Sequence, residues 1–295
     1  MILEALSYTF MQKALVAGIA VGIICSFMGT FLVLRRYSLF GDGIAHVAFG
    51  GISVGLFLGI FPLWTAFVVS ILGGLGLQKL RQSTKISGDA AVAVVLSSGF
   101  AVGVILVSAS GGFSIDLFSF LFGSILLISN EDVIMILAIS SGVIGTLVVL
   151  QKQFLHLTFN EEQAKLGGLR TTLLNYAFVI LASITVVTSF RLVGMLLISA
   201  LVVIPNITAM MFGMGFKKTV LVSMAISVSS VISGILVSYS LNVAPSGTIV
   251  LIAVAILMTT LALKSTGILR KVDIKTPSKI SCLLYTSPSP RDEAL

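Results

Sequence analysis

Apolar runs of about twenty residues, each stopped by charges or turn residues, recur along most of the chain and constrain its fold more than any other feature. A helix needs roughly 20 such residues to cross a hydrocarbon core of about 30 Å. Only helices and closed barrels satisfy every backbone group at that depth. The runs occupy about 10–34, 44–61, 63–79, 90–109, 131–151, 171–190, 192–213, 218–241 and 247–264. They predict an all-α, polytopic transmembrane helical bundle of about 8–9 spans. Residues 113–129 are also apolar, but Asp116 and Gly123 interrupt them, which predicts a re-entrant or half-buried piece. The break Ile60-Phe61-Pro62-Leu63 is short enough to predict a tight hairpin of the second and third spans. A composition of 57% hydrophobic and 10% charged residues, with mean hydropathy +1.14, excludes an ordinary soluble domain.

Alternate threading of the spans puts 15 of the 18 Lys and Arg residues on one side, Arg35, Arg36, Lys165, Arg170, Lys217 and Lys218 among them. Lys13 and Arg191 fall on the other side, and Arg291 lies in the terminal tail. Basic loops stay in the cytoplasm, so the amino terminus is expected outside and the carboxyl terminus inside. Promoting 113–129 to a span, or merging 171–190 with 192–213, would reverse half of that assignment. The asymmetry accounts for a pI of about 9.6 with no nucleic-acid partner. The first apolar run lacks a basic start and is too long for a cleavable signal, so it reads as a span. Cys25 and Cys282 form no disulfide framework, and Cys25 reads as a packing residue.

Small residues four apart let helices approach closely in lipid. The pairs Gly18/Gly22 and Gly99/Gly103 fit that spacing, and the triple repeat Gly51, Gly55, Gly59 is expected to form a packing seam. The stretch Ser287-Pro288-Ser289-Pro290-Arg291-Asp292 resembles a translated cloning or adapter sequence, so 280–295 is set aside as a non-native or disordered tail.

The chain has no Gly-x-x-x-x-Gly-Lys-Ser/Thr phosphate loop, His-Glu-x-x-His or Cys-x-x-Cys. Its conspicuous ionisable groups are Asp42 and His46, in Gly41-Asp42-Gly43-Ile44-Ala45-His46. A spacing of four puts a carboxylate and an imidazole on one helical face, a donor set suited to a divalent cation such as zinc or manganese. Two ligands bind weakly enough to release an ion. The competing reading makes Asp42 a helix cap and His46 a hydrogen-bonded residue of the bundle. A helix resuming after Arg36 would put His46 about 15 Å inward, unless Gly41 and Gly43 break it. Asp116, Glu131 and Asp132 fall at the outer side, as an acidic mouth or as ordinary solvated loop residues, and His156 reads as a surface residue. Leu157–Gly168 reads as a short cytoplasmic helix capped by Asn160, with acids in its first turn and glycine at its end.

Several of these stretches resemble the permease subunits of zinc/manganese/iron ABC importers. They are Phe31-Leu32-Val33-Leu34-Arg35-Arg36, Gly41–His46, Asp116-Leu117 with Phe120–Gly123, Glu161-Glu162-Gln163-Ala164 with Gly167, Val193–Leu197, Ser199–Pro205 and Pro245-Ser246-Gly247. The resemblance covers roughly 1–268 in order. It implies a homodimer in the cytoplasmic membrane of a prokaryote, two cytosolic ABC ATPase subunits, and an extracytoplasmic metal-binding protein. It further implies metal ligation by Asp42 and His46, and ATPase docking through 157–170, with Glu161, Glu162, Ala164 and Gly167 as contact positions. The expected organisation is a permease domain over 1–268, a basic cytoplasmic end over 269–279, and the tail. No permanent cofactor is expected, only a transported divalent metal, zinc first and manganese or iron behind it. Hydrolysis of ATP is expected in the partner, so this chain is not itself an enzyme. Asn206, where many relatives carry alanine, is expected to alter the lining of the path, and Pro205 to break the seventh span. Two other classes fit the same composition: a proton-coupled secondary metal transporter, and a membrane anchor that transports nothing.

Overall fold

The computed structural model describes residues 7–83, 88–110, 115–123, 128–195 and 198–266. Within them lie twelve helices and no strand. They are α1 (Thr9–Leu34), α2 (Phe40–Leu58), α3 (Pro62–Ser83), α4 (Gly88–Ala109), α5 (Ile115–Phe122), α6 (Asn130–Phe159), α7 (Glu161–Leu166), α8 (Thr171–Thr188), α9 (Phe190–Val193), α10 (Ile198–Met210), α11 (Phe216–Leu241) and α12 (Pro245–Ser265). Eight of them are long and apolar enough to cross a membrane. Positions 269–279 and 280–295 lie outside the described residues.

The first run forms the centre of the bundle. Helix α1 is buried on nearly all sides, and α6, α8, α10 and α11 pack around it. Association in lipid gains little from hydrophobicity, because the tails are as apolar as the side chains, so small residues and polar pairs do that work. Gly18 and Gly22 face Val231 and Ser227 of α11, and Ser227 Oγ donates to the Gly22 carbonyl at 2.9 Å. A second group joins α2 to α3 and α4. Gly51 and Gly55 meet Ala66, Thr65 and Pro62 of α3, as the seam requires. Gly59 does not belong to that seam. It has φ 67° with open space around it, and it turns the chain into Pro62 at the start of α3. Gly99 and Gly103 pack against Val47, Phe49 and Gly50, so this pair is also a seam.

Basic and aromatic residues separate the two ends of the bundle. The rings of Tyr8, Phe10 and Tyr239 cluster where α1 begins and α11 ends. At the opposite end, Thr30, Leu34, Phe159, Met210, Met214 and Phe216 line one cleft, so α1, α6 and α10 end where α11 begins. Arg35, Arg36, Lys217 and Lys218 follow directly, and this is the basic end. The chain thus starts at one end and leaves α12 at the other, in keeping with the charge count.

Two expected boundaries move. The fifth span continues unbroken to Phe159, because a Ser129/Asp132 capping box starts α6 and Asn160 stops it. Asp132 is buried in that box, with its carboxylate accepting from the Ser129 N–H at 3.0 Å, so it is no part of an open acidic mouth. The seventh span is not one helix. It breaks at Gly194, whose φ of 74° and ψ of 158° suit glycine alone, while Pro205 sits inside the continuous helix α10. The break turns inside the bundle, with Leu192 facing Gly18 and the Ser189 hydroxyl 3.0 Å from the Cys25 thiol. Gly123, with φ 72°, packs backbone to backbone against it. Residues 115–122 form only a short helix, as expected of a piece that does not cross.

Candidate metal site

Helix α2 starts at Phe40 with no side-chain cap, and Asp42 is in its first turn. The carboxylate therefore does not cap the helix. It sits where the amino-terminal end of the helix dipole favours negative charge. Gly41 and Gly43 lie inside the helix and do not break it. His46 is consequently six residues from the start of α2, about 9 Å along its axis, which is shallower than a helix from Arg36 would put it.

His46 Nδ1 lies 2.9 Å from the backbone carbonyl oxygen of Asp42 and 3.9 Å from its Oδ1. A carbonyl only accepts, so Nδ1 is the donor; in the neutral imidazole Nε2 then keeps its lone pair, the arrangement that metal-ligating histidines use. The imidazole packs edge-on against Phe100 of α4, with centroids 5.5 Å apart. The side chains of His46 and Asp42 are 17% and 33% exposed, and Phe100 is 43% exposed, so the pair sits at the edge of the chain. Among the described residues no third His, Cys, Asp or Glu joins them.

The short helix after Asn160 forms as its sequence suggests. Asn160 Oδ1 accepts from the Gln163 N–H at 3.0 Å, Glu161 and Glu162 occupy the exposed first turn of α7, and Gly167 ends it. Gly168, with φ 79°, then reverses the chain. Ala164 is buried and braces the helix from within. Phe159 and Leu166, 74% and 88% exposed, offer the apolar surface of this segment, which the sequence reading missed. Two large apolar residues, Phe159 just before a short polar helix and Leu166 at its last position, were the available signal.

The segment is tied to the rest of the bundle by polar contacts. Asn175 of α8, itself buried, donates through Nδ2 to Glu161 Oε1 at 2.7 Å, and its Oδ1 accepts from Arg35 Nη2 at 2.6 Å. The Arg35 guanidinium lies 4.5 Å from the Phe178 ring and 5.6 Å from that of Tyr37. Burial lowers it from its ordinary value, while Tyr37 and Glu161 oppose that shift. Tyr37 also stacks on Phe40, the first residue of α2, and carries Arg81 3.8 Å from its ring.

A family model described as the ABC 3 transport family matches residues 7–264. The chain belongs to that family. It is 37% identical over 89% of its length to a Treponema pallidum protein named "Probable metal transport system membrane protein", covering 98% of that protein. It is 32% identical over 85% of its length to the manganese transport system membrane protein MntC of Listeria monocytogenes, covering 89% of it. Its fold matches a chain of PsaBC from Streptococcus pneumoniae, solved in complex with Fab, with a TM-score of 0.80 and 28% identity over 90% of this chain and 98% of that one. This ABC 3 family chain is therefore a multi-pass, all-helical membrane protein of that fold.

Other singled-out residues fall into place. His156 is exposed near the end of α6. Asn206 is a packing residue between helices. It is fully buried, with its Oδ1 accepting from Thr30 Oγ1 at 2.6 Å and Ser223 Oγ at 2.7 Å, and its Nδ2 donating to the Val202 carbonyl at 2.7 Å. It pins α10 to α1 and α11. Asp116 belongs to α5, with its side chain outside the described residues.

Proposed function

We propose that this chain is the permease subunit of an ATP-driven importer for divalent transition metal ions. The observation that carries the reading is the Asp42/His46 pair on one face of α2, its imidazole already set to offer Nε2. Asp42 supplies negative charge to offset the ion's lost hydration, and His46 supplies a borderline-soft nitrogen. Two ligands at the edge of one chain leave the coordination shell half made. A second copy of the chain would bring two more, giving four, and that is the role of the proposed homodimer.

The chain has no phosphate-binding loop, so the energy comes from separate cytosolic ATPase subunits seated on α7 and on exposed Phe159 and Leu166. An extracytoplasmic binding protein delivers the ion at the opposite end. ATP binding and hydrolysis then alternate the access of the site between the two sides of the membrane. Carboxylate and imidazole accept zinc, manganese and iron alike. Zinc leads on the ligand chemistry, and the relative named for manganese transport supports manganese.

Uptake assays on the reconstituted complex test this. His46→Ala and Asp42→Asn should each abolish metal uptake while the ATPase subunits still copurify. Normal uptake by both variants removes the site, and uptake by wild type driven by a proton gradient with no ATPase present makes the chain a secondary transporter.

A further inference from the structure

We propose that Asn175 is the positioning residue that couples the docking segment to the metal pair, by bridging Glu161 at the start of α7 to Arg35 at the turn before α2. This inference rests on the permease reading. The bridge is built from a buried amide whose two ends are both used: Nδ2 towards Glu161 and Oδ1 towards Arg35. Each end faces a charged partner of the right sign, which makes both hydrogen bonds charge-assisted. An amide is the side chain that can do this, since a carboxylate would repel Glu161 and a lysine would repel Arg35.

The far side of Arg35 leads to the metal helix. Its guanidinium rests between Phe178 and Tyr37, and Tyr37 stacks on Phe40, two residues before Asp42. The turn joining them is tight. The Arg36 N–H donates to the Val33 carbonyl at 3.0 Å and the Tyr37 N–H to the Leu32 carbonyl at 2.8 Å, with Arg36 left-handed at φ 57°. A turn held this way moves as a unit, so displacing Glu161 pulls on Arg35 and shifts the start of α2. Four contacts, Glu161–Asn175, Asn175–Arg35, Arg35–Tyr37 and Tyr37–Phe40, thus join an exposed acid on the docking segment to the first turn of the metal helix.

The test uses the complete complex in vesicles, with its cognate ATPase and binding protein, and reads metal transported per ATP hydrolysed, with manganese and zinc as probes. Asn175→Leu should leave the ATPase bound and hydrolysing but lower that ratio at least fivefold. Asn175→Asp should lower it likewise, because two carboxylates then face each other. Adding Glu161→Gln to Asn175→Asp should raise the ratio at least twofold above that of Asn175→Asp alone, because the new amide donates to the new carboxylate. A loss caused only by damaged packing would not be rescued this way. An unchanged ratio in Asn175→Leu, or no rescue in the double variant, overturns the coupling role while leaving the permease reading intact. A wild-type complex that hydrolyses ATP but moves neither metal overturns both.

Discussion

His46 Nδ1 donates to the backbone carbonyl of Asp42 at 2.9 Å, so one turn of α2 both presents the imidazole and, in its neutral form, fixes Nε2 as the nitrogen with the free lone pair. The same four-residue spacing puts the carboxylate 3.9 Å away on the same face. A metal reaching Nε2 would meet a histidine already in its ligating tautomer.

Loss of that nitrogen should be felt directly in metal affinity. His46→Phe preserves the ring against Phe100 but has no ligating atom, so the dissociation constant for manganese or zinc should rise by at least about tenfold, the least that loss of even an outer-shell partner costs. Titration of the purified protein followed by calorimetry measures this. An unchanged constant would locate binding elsewhere.

The Gly123/Gly194 contact should tolerate no side chain. A Cβ on Gly194 would lie 2.5 Å from the Gly123 nitrogen, and its φ of 74° already disfavours any other residue. Gly194→Ala should destabilise the fold by at least about 2 kcal/mol, combining backbone strain with the clash. Gly215→Ala, at φ −63° with open space around it, should be close to neutral. Thermal unfolding in detergent distinguishes the two.

Asn206→Ala should cost about 1–3 kcal/mol, because the buried Thr30 and Ser223 hydroxyls lose a shared acceptor. The same thermal assay reads it. Stability equal to wild type would mean that the hydroxyls re-pair locally, for which the Ser26 carbonyl already beside Thr30 is available.

Arg36 is a non-glycine residue at φ 57°, in the position where helix ends favour glycine. Arg36→Gly should hold or raise stability by up to about 1 kcal/mol, whereas Arg36→Val should lower it by about 1–2 kcal/mol. Opposite signs from the two variants are the diagnostic; losses of equal size would mean that the guanidinium itself matters.

The long spans were legible in the sequence because lipid leaves a helix no alternative: each crossing must be apolar, near twenty residues and bounded by polar groups. Asp42 and His46 stood out for the related reason that such groups are costly in that setting. Asn160 and Gly167 marked the short helix α7 through capping chemistry, which is local. Local signals do not say what faces what. Nothing near Gly194 in the chain shows that Gly123 presses against it, and only the packed bundle decided that the seventh run breaks there and not at Pro205. Asn206 illustrates the same limit: its amide is a pin because α1 and α11 bring Thr30 and Ser223 within hydrogen-bond reach. The Glu161–Asn175–Arg35 bridge joins residues up to 140 positions apart. The sequence by itself determined a helical membrane bundle, the sidedness of its charge and the face of α2 that bears Asp42 and His46. The tertiary structure decided which glycines are seams and which are turns, and which residues Asn175 and Asn206 join, because those depend on contacts between helices that no single run encodes.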